Sequence, residues 1–218
     1  MKVTTEGCIF GAWIGSNSPK RILDIGTGTG LLSLMLAQKY DCTIDAVEID
    51  KTTASQAESN FQNSKWKNRL TTHSLDINDF VKKSTYAFDL IVSNPPFFNS
   101  NFRSNDSAKN LAVHDESLSQ AMLLNAIKST LTVNGKAFIL YPEYEANQIM
   151  ELVEQYGLYA KEALIIKNKP GTIVFRKIIE LTKSTPSEKA TQELHIRTIQ
   201  NEFSQDYTQL LRPFYLHL

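Results

Sequence analysis

Cysteine is scarce: Cys8 and Cys42 are the only two in 218 residues. Two are too few for a disulfide framework or a cysteine-built metal centre, and such scarcity suits a reducing compartment. Net charge is lacking as well. The 23 basic and 23 acidic side chains cancel, so no global field recruits nucleic acid and any such contact has to come from a local patch. No apolar run approaches the roughly 18 residues of a membrane span. The start shows no basic-then-apolar secretion signal, and no internal repeat or low-complexity tract is found. What the chain does have is 42% apolar and 10% aromatic residues, enough for a sizeable core. These bounds predict one soluble, cytoplasmic, monomeric domain with no metal and no membrane partner.

Along the chain, short apolar runs alternate with helical patterns. Residues 22–25, 43–49, 70–75 and 88–92 read as strands; residues 31–40, 51–62 and 78–82 read as helices. Continuous apolar runs bounded by turn-makers are the mark of parallel strands buried on both faces. The second half predicts a helix over 116–131 stopped by Asn134 and Gly135, a strand over 136–141, and a helix over 143–156 ended by Gly157. Runs 158–167 and 172–182, joined by Asn168, Lys169, Pro170 and Gly171, form a hairpin, so the sheet ends in an antiparallel pair. The tail holds a polar linker (184–190), a possible strand (193–198) and an aromatic-rich helix (207–215).

The chemistry concentrates where the fourth strand ends, at Asn94, Pro95, Pro96 and Phe97. Two prolines stiffen the turn at the carboxyl edge of the sheet, where open α/β sheets bind ligands. The Asn94 side-chain carbonyl and the Pro95 backbone carbonyl together suit both hydrogens of a flat amine, such as that of adenine. Phe97 offers a face for a planar base. A rigid turn with a core phenylalanine is the plainer alternative. Upstream, Gly26, Gly28 and Gly30 open a tight turn, with Leu31 where a dinucleotide fingerprint has its third glycine. Asp24 brings negative charge to that turn, which suits a cationic amino group better than a phosphate. Glu48 ends the second strand and is placed for ribose hydroxyls, with Asp50 reading as the next helix's cap. Asp76 and Ile77 end the third strand, where they either bond an adenine amine and cover its ring or simply cap a short helix. The polar stretch 98–115, carrying Arg103, Lys109 and His114, reads as a loop contacting the target or as a merely solvated one. Around the hairpin, Lys161, Lys167, Lys169, Arg176, Lys177 and Lys183 form a basic stripe, suited to phosphates or to protecting a sheet edge.

In this order, the glycine turn, the acidic ends of strands two and three, and the Asn-Pro-Pro-Phe turn resemble the class I S-adenosyl-L-methionine-dependent methyltransferases of the Asn-Pro-Pro-aromatic type. The resemblance implies a Rossmann-like α/β fold: a seven-stranded, mostly parallel sheet with an antiparallel last strand and helices on both faces. More narrowly, the chain is similar to the tRNA(Val) adenine-N6 methyltransferase family, which modifies adenosine 37. The opening KVTTEGCIFGAW is similar to that family's KVGTDGVLLGAW, with Thr4 in place of a usual glycine, and Tyr207, Tyr215 and Leu216 match its closing helix. By this resemblance Asp24, Gly26, Gly28 and Gly30 hold the methionine end of the cofactor. Glu48 with Ile49 takes the ribose, Asp76 with Ile77 the adenine, and Thr5 lies near the carboxylate. Asn94, Pro95, Pro96 and Phe97 hold the target adenine of a tRNA substrate. Residues 1–19 are then a cofactor-covering lead-in, 20–183 the core and 184–218 a C-terminal extension. The turn alone does not separate adenine N6 from guanine N2 of rRNA or the glutamine amide of a release factor. A catalytically silent RNA-binding module is the non-enzymatic alternative, and it is expected to have lost Asn94 or Glu48.

Overall fold

The computed structural model describes residues 3–15, 18–96, 118–185 and 190–217. The chain enters through helix α1 (Thr5–Trp13), started by Thr4, whose Oγ1 accepts the Gly7 N–H at 3.3 Å. Three strand–helix units and a fourth strand follow: β1 (Arg21–Ile25), α2 (Leu31–Lys39), β2 (Thr43–Glu48), α3 (Lys51–Gln62), β3 (Leu70–Ser74), α4 (Ile77–Lys83) and β4 (Phe88–Ser93). As expected, Asp50 caps α3, its side chain accepting the Thr53 N–H at 2.7 Å.

The described strands form one sheet in the order β3-β2-β1-β4-β5-β7-β6-β8. Strands β3, β2, β1, β4 and β5 run parallel. β7 (Val174–Thr182) lies antiparallel between β5 (Leu131–Tyr141) and β6 (Tyr159–Lys167), the reversed strand the hairpin predicted. The sheet has eight strands rather than seven. β8 (Gln192–His195) adds to the outer edge parallel to β6, held there by the buried Leu194.

Both faces of the sheet are covered, which is why consecutive residues of β1 (Ile22, Leu23) and β4 (Leu90, Ile91, Val92) are apolar. Ile22, Leu90 and Val92 pack on one side against α1, α2 and the last helix, α7 (Gln205–Leu211). Leu23, Ile25 and Ile91 pack on the other, against α4, α5 (Gln120–Thr130) and α6 (Glu143–Leu152). Each fully buried side chain of this size contributes roughly 1.5–3 kcal/mol.

Two expected boundaries shift. Helix α5 starts at Gln120, where the Ser119 hydroxyl accepts the Met122 N–H, and ends at Thr130. Asn134 and Gly135 do not stop it; they lie within β5, which begins directly at Leu131. Phe88 pairs with Leu131 but Leu90 with Lys136, so β5 loops out between those pairs. Gly135 is needed there because a Cβ would lie 3.0 Å from the Phe88 carbonyl oxygen. The helix expected over 143–156 is α6 followed by a 3-10 turn, Val153–Tyr156, which Gly157 ends at φ 64°.

Candidate active site

In-register pairing brings four strand ends to one edge. Ile25 pairs with both Val47 and Ser93, and Glu48 pairs with Ser74. The segments after β1, β2, β3 and β4 therefore emerge side by side, and α1 lies over them. Together they enclose a cavity of about 600 Å³, within the size range of small-molecule sites.

The glycine turn forms its floor. The N–H groups of Gly26 and Thr27 donate to the Val47 carbonyl at 2.9 and 3.0 Å. Gly26 adopts φ 70°, and a Cβ there would meet no atom within 4 Å, so the missing side chain leaves room in the cavity that Gly26 lines. Gly30 has a different task. It opens α2 at φ 86°, and a Cβ would lie 2.4 Å from Phe61 Cε1, so only glycine lets α2 and α3 pack this closely.

Asp24 lies beneath the turn, not in the cavity wall, and is fully buried. Its Oδ2 accepts the hydroxyls of Thr27 and Ser33, both at 2.7 Å. Burial pushes its carboxyl up to about 6 against those two hydrogen bonds, and the nearby Glu48 charge adds to the rise. Its Oδ1 has no hydrogen-bond partner among the described residues.

Glu48 binds the turn to the second strand end. Its Oε2 accepts the Gly28 N–H at 2.9 Å and its Oε1 the Asp50 N–H at 3.1 Å. Each oxygen retains a lone pair for a ligand hydroxyl. Asp76 caps α4 through the Asn78 N–H at 2.7 Å, the plainer of the two roles weighed from sequence, and it also lines the cavity. Ile49 and Ile77 supply apolar wall beside these acids.

At the fourth strand end, the buried Ser93 hydroxyl donates to the Ile25 carbonyl at 2.8 Å and holds the turn against β1. Asn94, Pro95 and Pro96 line the cavity. The Asn94 side-chain carbonyl is buried and accepts no hydrogen bond from the described residues. A buried acceptor without a donor is costly, and it belongs to a residue that lines the cavity.

Of the residues expected from sequence, Gly26, Glu48, Ile49, Asp76, Ile77, Asn94, Pro95 and Pro96 meet on this wall. Asp24, Gly28 and Gly30 support the turn from outside it. Thr5 occupies the first turn of α1, exposed and off the wall, and its neighbours Thr4, Glu6 and Gly7 line the cavity instead. Phe97 and the loop residues Arg103, Lys109 and His114 lie outside the described residues. Sequence reasoning missed Glu6, Thr27, Thr29 and Met122. A threonine three residues before a glycine in the lead-in was a legible cap signal for Thr4; Met122, on the distant α5, had none.

The basic stripe is largely spent within the protein. Lys161 and Lys136 pair with Glu180, Lys167 with Glu193, Arg176 with Glu6, and Lys177 with Glu143 and Glu162. Lys183 donates to the Leu131 carbonyl. Among the described residues no cluster of three or more metal-ligating side chains occurs, and no helix is long and apolar enough to cross a membrane.

The donor set fits S-adenosyl-L-methionine. The open Gly26 cradle leaves space for a ligand chain, and the buried Asp24 carboxyl beneath the turn gives that end of the site acidic character. The acids at the ends of β2 and β3 suit a ribose and an adenine.

Comparison with known proteins agrees. The methyltransferase small domain family matches residues 12–155. A tRNA1(Val) (adenine(37)-N6)-methyltransferase of Cytophaga hutchinsonii is 38% identical, over 100% of this chain and 92% of its own. The protein of that name from Trichodesmium erythraeum is 37% identical, over 99% and 91%. Among solved structures, a predicted O-methyltransferase of Agrobacterium tumefaciens superimposes with a TM-score of 0.70 at 13% identity, covering 94% of this chain and 95% of that one. A methyltransferase of Pyrococcus furiosus gives 0.56 at 22% identity, covering 84% of each. The chain is thus a member of the methyltransferase small domain family and, through its relatives of matching length, of the tRNA1(Val) (adenine(37)-N6)-methyltransferase family.

Proposed function

We propose that this protein methylates N6 of an adenosine in tRNA, at position 37 of tRNA1(Val). The observation that carries the proposal is Asn94, a cavity-lining residue whose buried side-chain carbonyl has no donor among the described residues. S-adenosyl-L-methionine, when bound, supplies an electrophilic methyl group on a sulfonium. The chain's own residues do the rest. Asn94 Oδ1 and the Pro95 carbonyl accept the two hydrogens of the target amine, which favours a pyramidal nitrogen with its lone pair directed at the methyl carbon. This is stabilisation of developing charge by fixed dipoles, with no general base. The Ser93–Ile25 bond fixes those acceptors relative to the cofactor turn, so positioning supplies much of the acceleration.

Glu48 is assigned to the ribose hydroxyls, Asp76 to the adenine amine, and Ile49 and Ile77 to the faces of that ring. Asp24 is assigned to the methionine end through the turn it braces, together with Gly26, Gly28 and Gly30. Thr5 is assigned to the carboxylate end together with its cavity-lining neighbour Thr4, and Phe97 is assigned to stacking on the target base. Residues 1–19 cover the cofactor, 20–183 form the core and 184–218 extend it. The same reading has the protein work as a monomer and in the cytoplasm. Relatives matched over nearly the whole chain carry the adenine-N6 name, which favours adenine over guanine N2 and the glutamine amide.

The test is Asn94→Ala. Turnover is expected to fall by about 10²–10³, the usual loss for one preorganised hydrogen-bonding group, while calorimetry finds unchanged cofactor affinity. Parallel collapse of both would remove Asn94 from its assigned role.

A further inference from the structure

A second groove, of about 450 Å³, lies on the same sheet edge, lined by Pro142, Asn168, Thr172, Ile173, Phe175 and Arg176. Register places it. Ser93 pairs with Ile139 and Tyr141 pairs with Lys177, so the Asn94 turn runs beside the end of β5, and Pro142 runs beside Arg176. From β4 through β5 to β7 is two strand spacings, roughly 10 Å. One ion pair joins the two sites: Arg176 lines the groove, Glu6 lines the main cavity, and their side chains meet at 3.4 Å.

The hairpin is built to present an aromatic ring here. Ile166 pairs with Arg176 but Lys167 pairs with Val174, leaving Phe175 as the extra residue of a β-bulge. Bulges beside functional sites re-aim a side chain. Phe175 is 36% exposed, with the Arg176 guanidinium over its ring at 4.4 Å from the centroid, and Ile173 beside it is 88% exposed. The charges around the groove are matched, Arg176 by Glu6 and Lys177 by Glu143. That is poor chemistry for gripping phosphates and good chemistry for a flat, neutral, apolar face edged by the polar groups of Asn168 and Thr172.

We propose that this groove takes an unpaired nucleotide adjacent to the target adenosine, its base stacked on the face of the Phe175 ring that the Arg176 guanidinium leaves uncovered. Single-stranded RNA is recognised chiefly by such stacking of splayed bases on aromatic and guanidinium planes. The proposal rests on the reading of the main cavity as the target-base site, because a base lodged at Asn94 forces its neighbours across this edge.

The experiment is fluorescence anisotropy with a labelled tRNA1(Val) anticodon stem-loop and the full-length protein, alongside methyl transfer to the same RNA. Phe175→Ala is expected to weaken RNA binding roughly tenfold, the scale of one lost base stack, with cofactor affinity unmoved. Ile173→Ser, at a position with almost no packing to lose, weakens binding in the same direction and guards against a folding artefact. Either variant binding RNA as tightly as the parent overturns the proposal. So does a parent that binds no RNA, or a parent dimer that Phe175→Ala dissolves in sedimentation, which would make the groove a protein interface. If the variants lose RNA affinity while the parent leaves adenosine unmethylated, the groove stands and the assignment of the reaction falls.

Discussion

At the scale of single residues, the site depends on polar groups buried with a job to do. Asp24 has one oxygen saturated by Thr27 and Ser33 and the other unpartnered among the described residues. Burial raises its carboxyl from the ordinary 3.8 to about 6. Between those values the folded protein binds a proton that the unfolded chain does not. This group therefore makes stability fall as pH rises from about 4 to about 6 and level off above. Full development of a two-unit shift corresponds to about 3 kcal/mol. Asp24→Asn keeps an acceptor for both hydroxyls and is expected to lose that slope, as read from urea midpoints between about pH 4 and pH 8. Equal slopes in parent and variant would mean the carboxyl is not held as the geometry indicates. Asp24 was legible in sequence as an acid beside a glycine turn; its place beneath the turn was not. A pattern of residue types says which groups come together, whereas Ser33, on the following helix, decides which way the carboxylate turns.

At the scale of elements, Gly26 and Gly30 belong to one motif and are expected to fail differently. Gly30→Ala meets Phe61 Cε1 at 2.4 Å and holds a left-handed backbone, so it is expected to cost about 3 kcal/mol of stability. Gly26→Ala meets nothing within 4 Å, so its stability loss is limited to about 1–2 kcal/mol. Its methyl group enters the cavity space, so cofactor affinity is expected to drop by about tenfold or more. Denaturant midpoints and calorimetry on both variants separate the two effects, and identical profiles would contradict the distinction. Elements with unambiguous signals were legible: the apolar run of β4 and the Asp50 cap of α3 lie where expected. Asn134 and Gly135 misled because the same dipeptide ends helices and opens irregular strands. Only the pairing partner, β4, determines which. The short β8 was half legible. Its alternation is weak, and its place beside β6 follows from tertiary packing of Leu194.

At the scale of the whole molecule, the parallel order of β3, β2, β1 and β4 gathers acids, glycines and the Asn-Pro-Pro turn onto one edge. That assembly was legible because each group sits at a strand end, and the topology of α/β units brings strand ends together. The surface was far less legible. Lysines counted along the hairpin left open a phosphate-binding stripe or a protected sheet edge, and Lys161, Lys167 and Lys177 find carboxylates on neighbouring strands and helices. Cross-strand partners are invisible in a linear count of charge. The aromatic on the bulge, not the cations, then becomes the feature of that edge.

The central claim is that one edge of this sheet delivers a methyl group to an adenosine amine in tRNA. Its most direct test is incubation of the purified protein with radiolabelled S-adenosyl-L-methionine and total tRNA from a strain lacking the gene, followed by nucleoside analysis. The account predicts a single labelled peak at N6-methyladenosine, arising from tRNA1(Val). Label on another nucleoside, or on a release-factor protein added in parallel while the tRNA stays unlabelled, would contradict it.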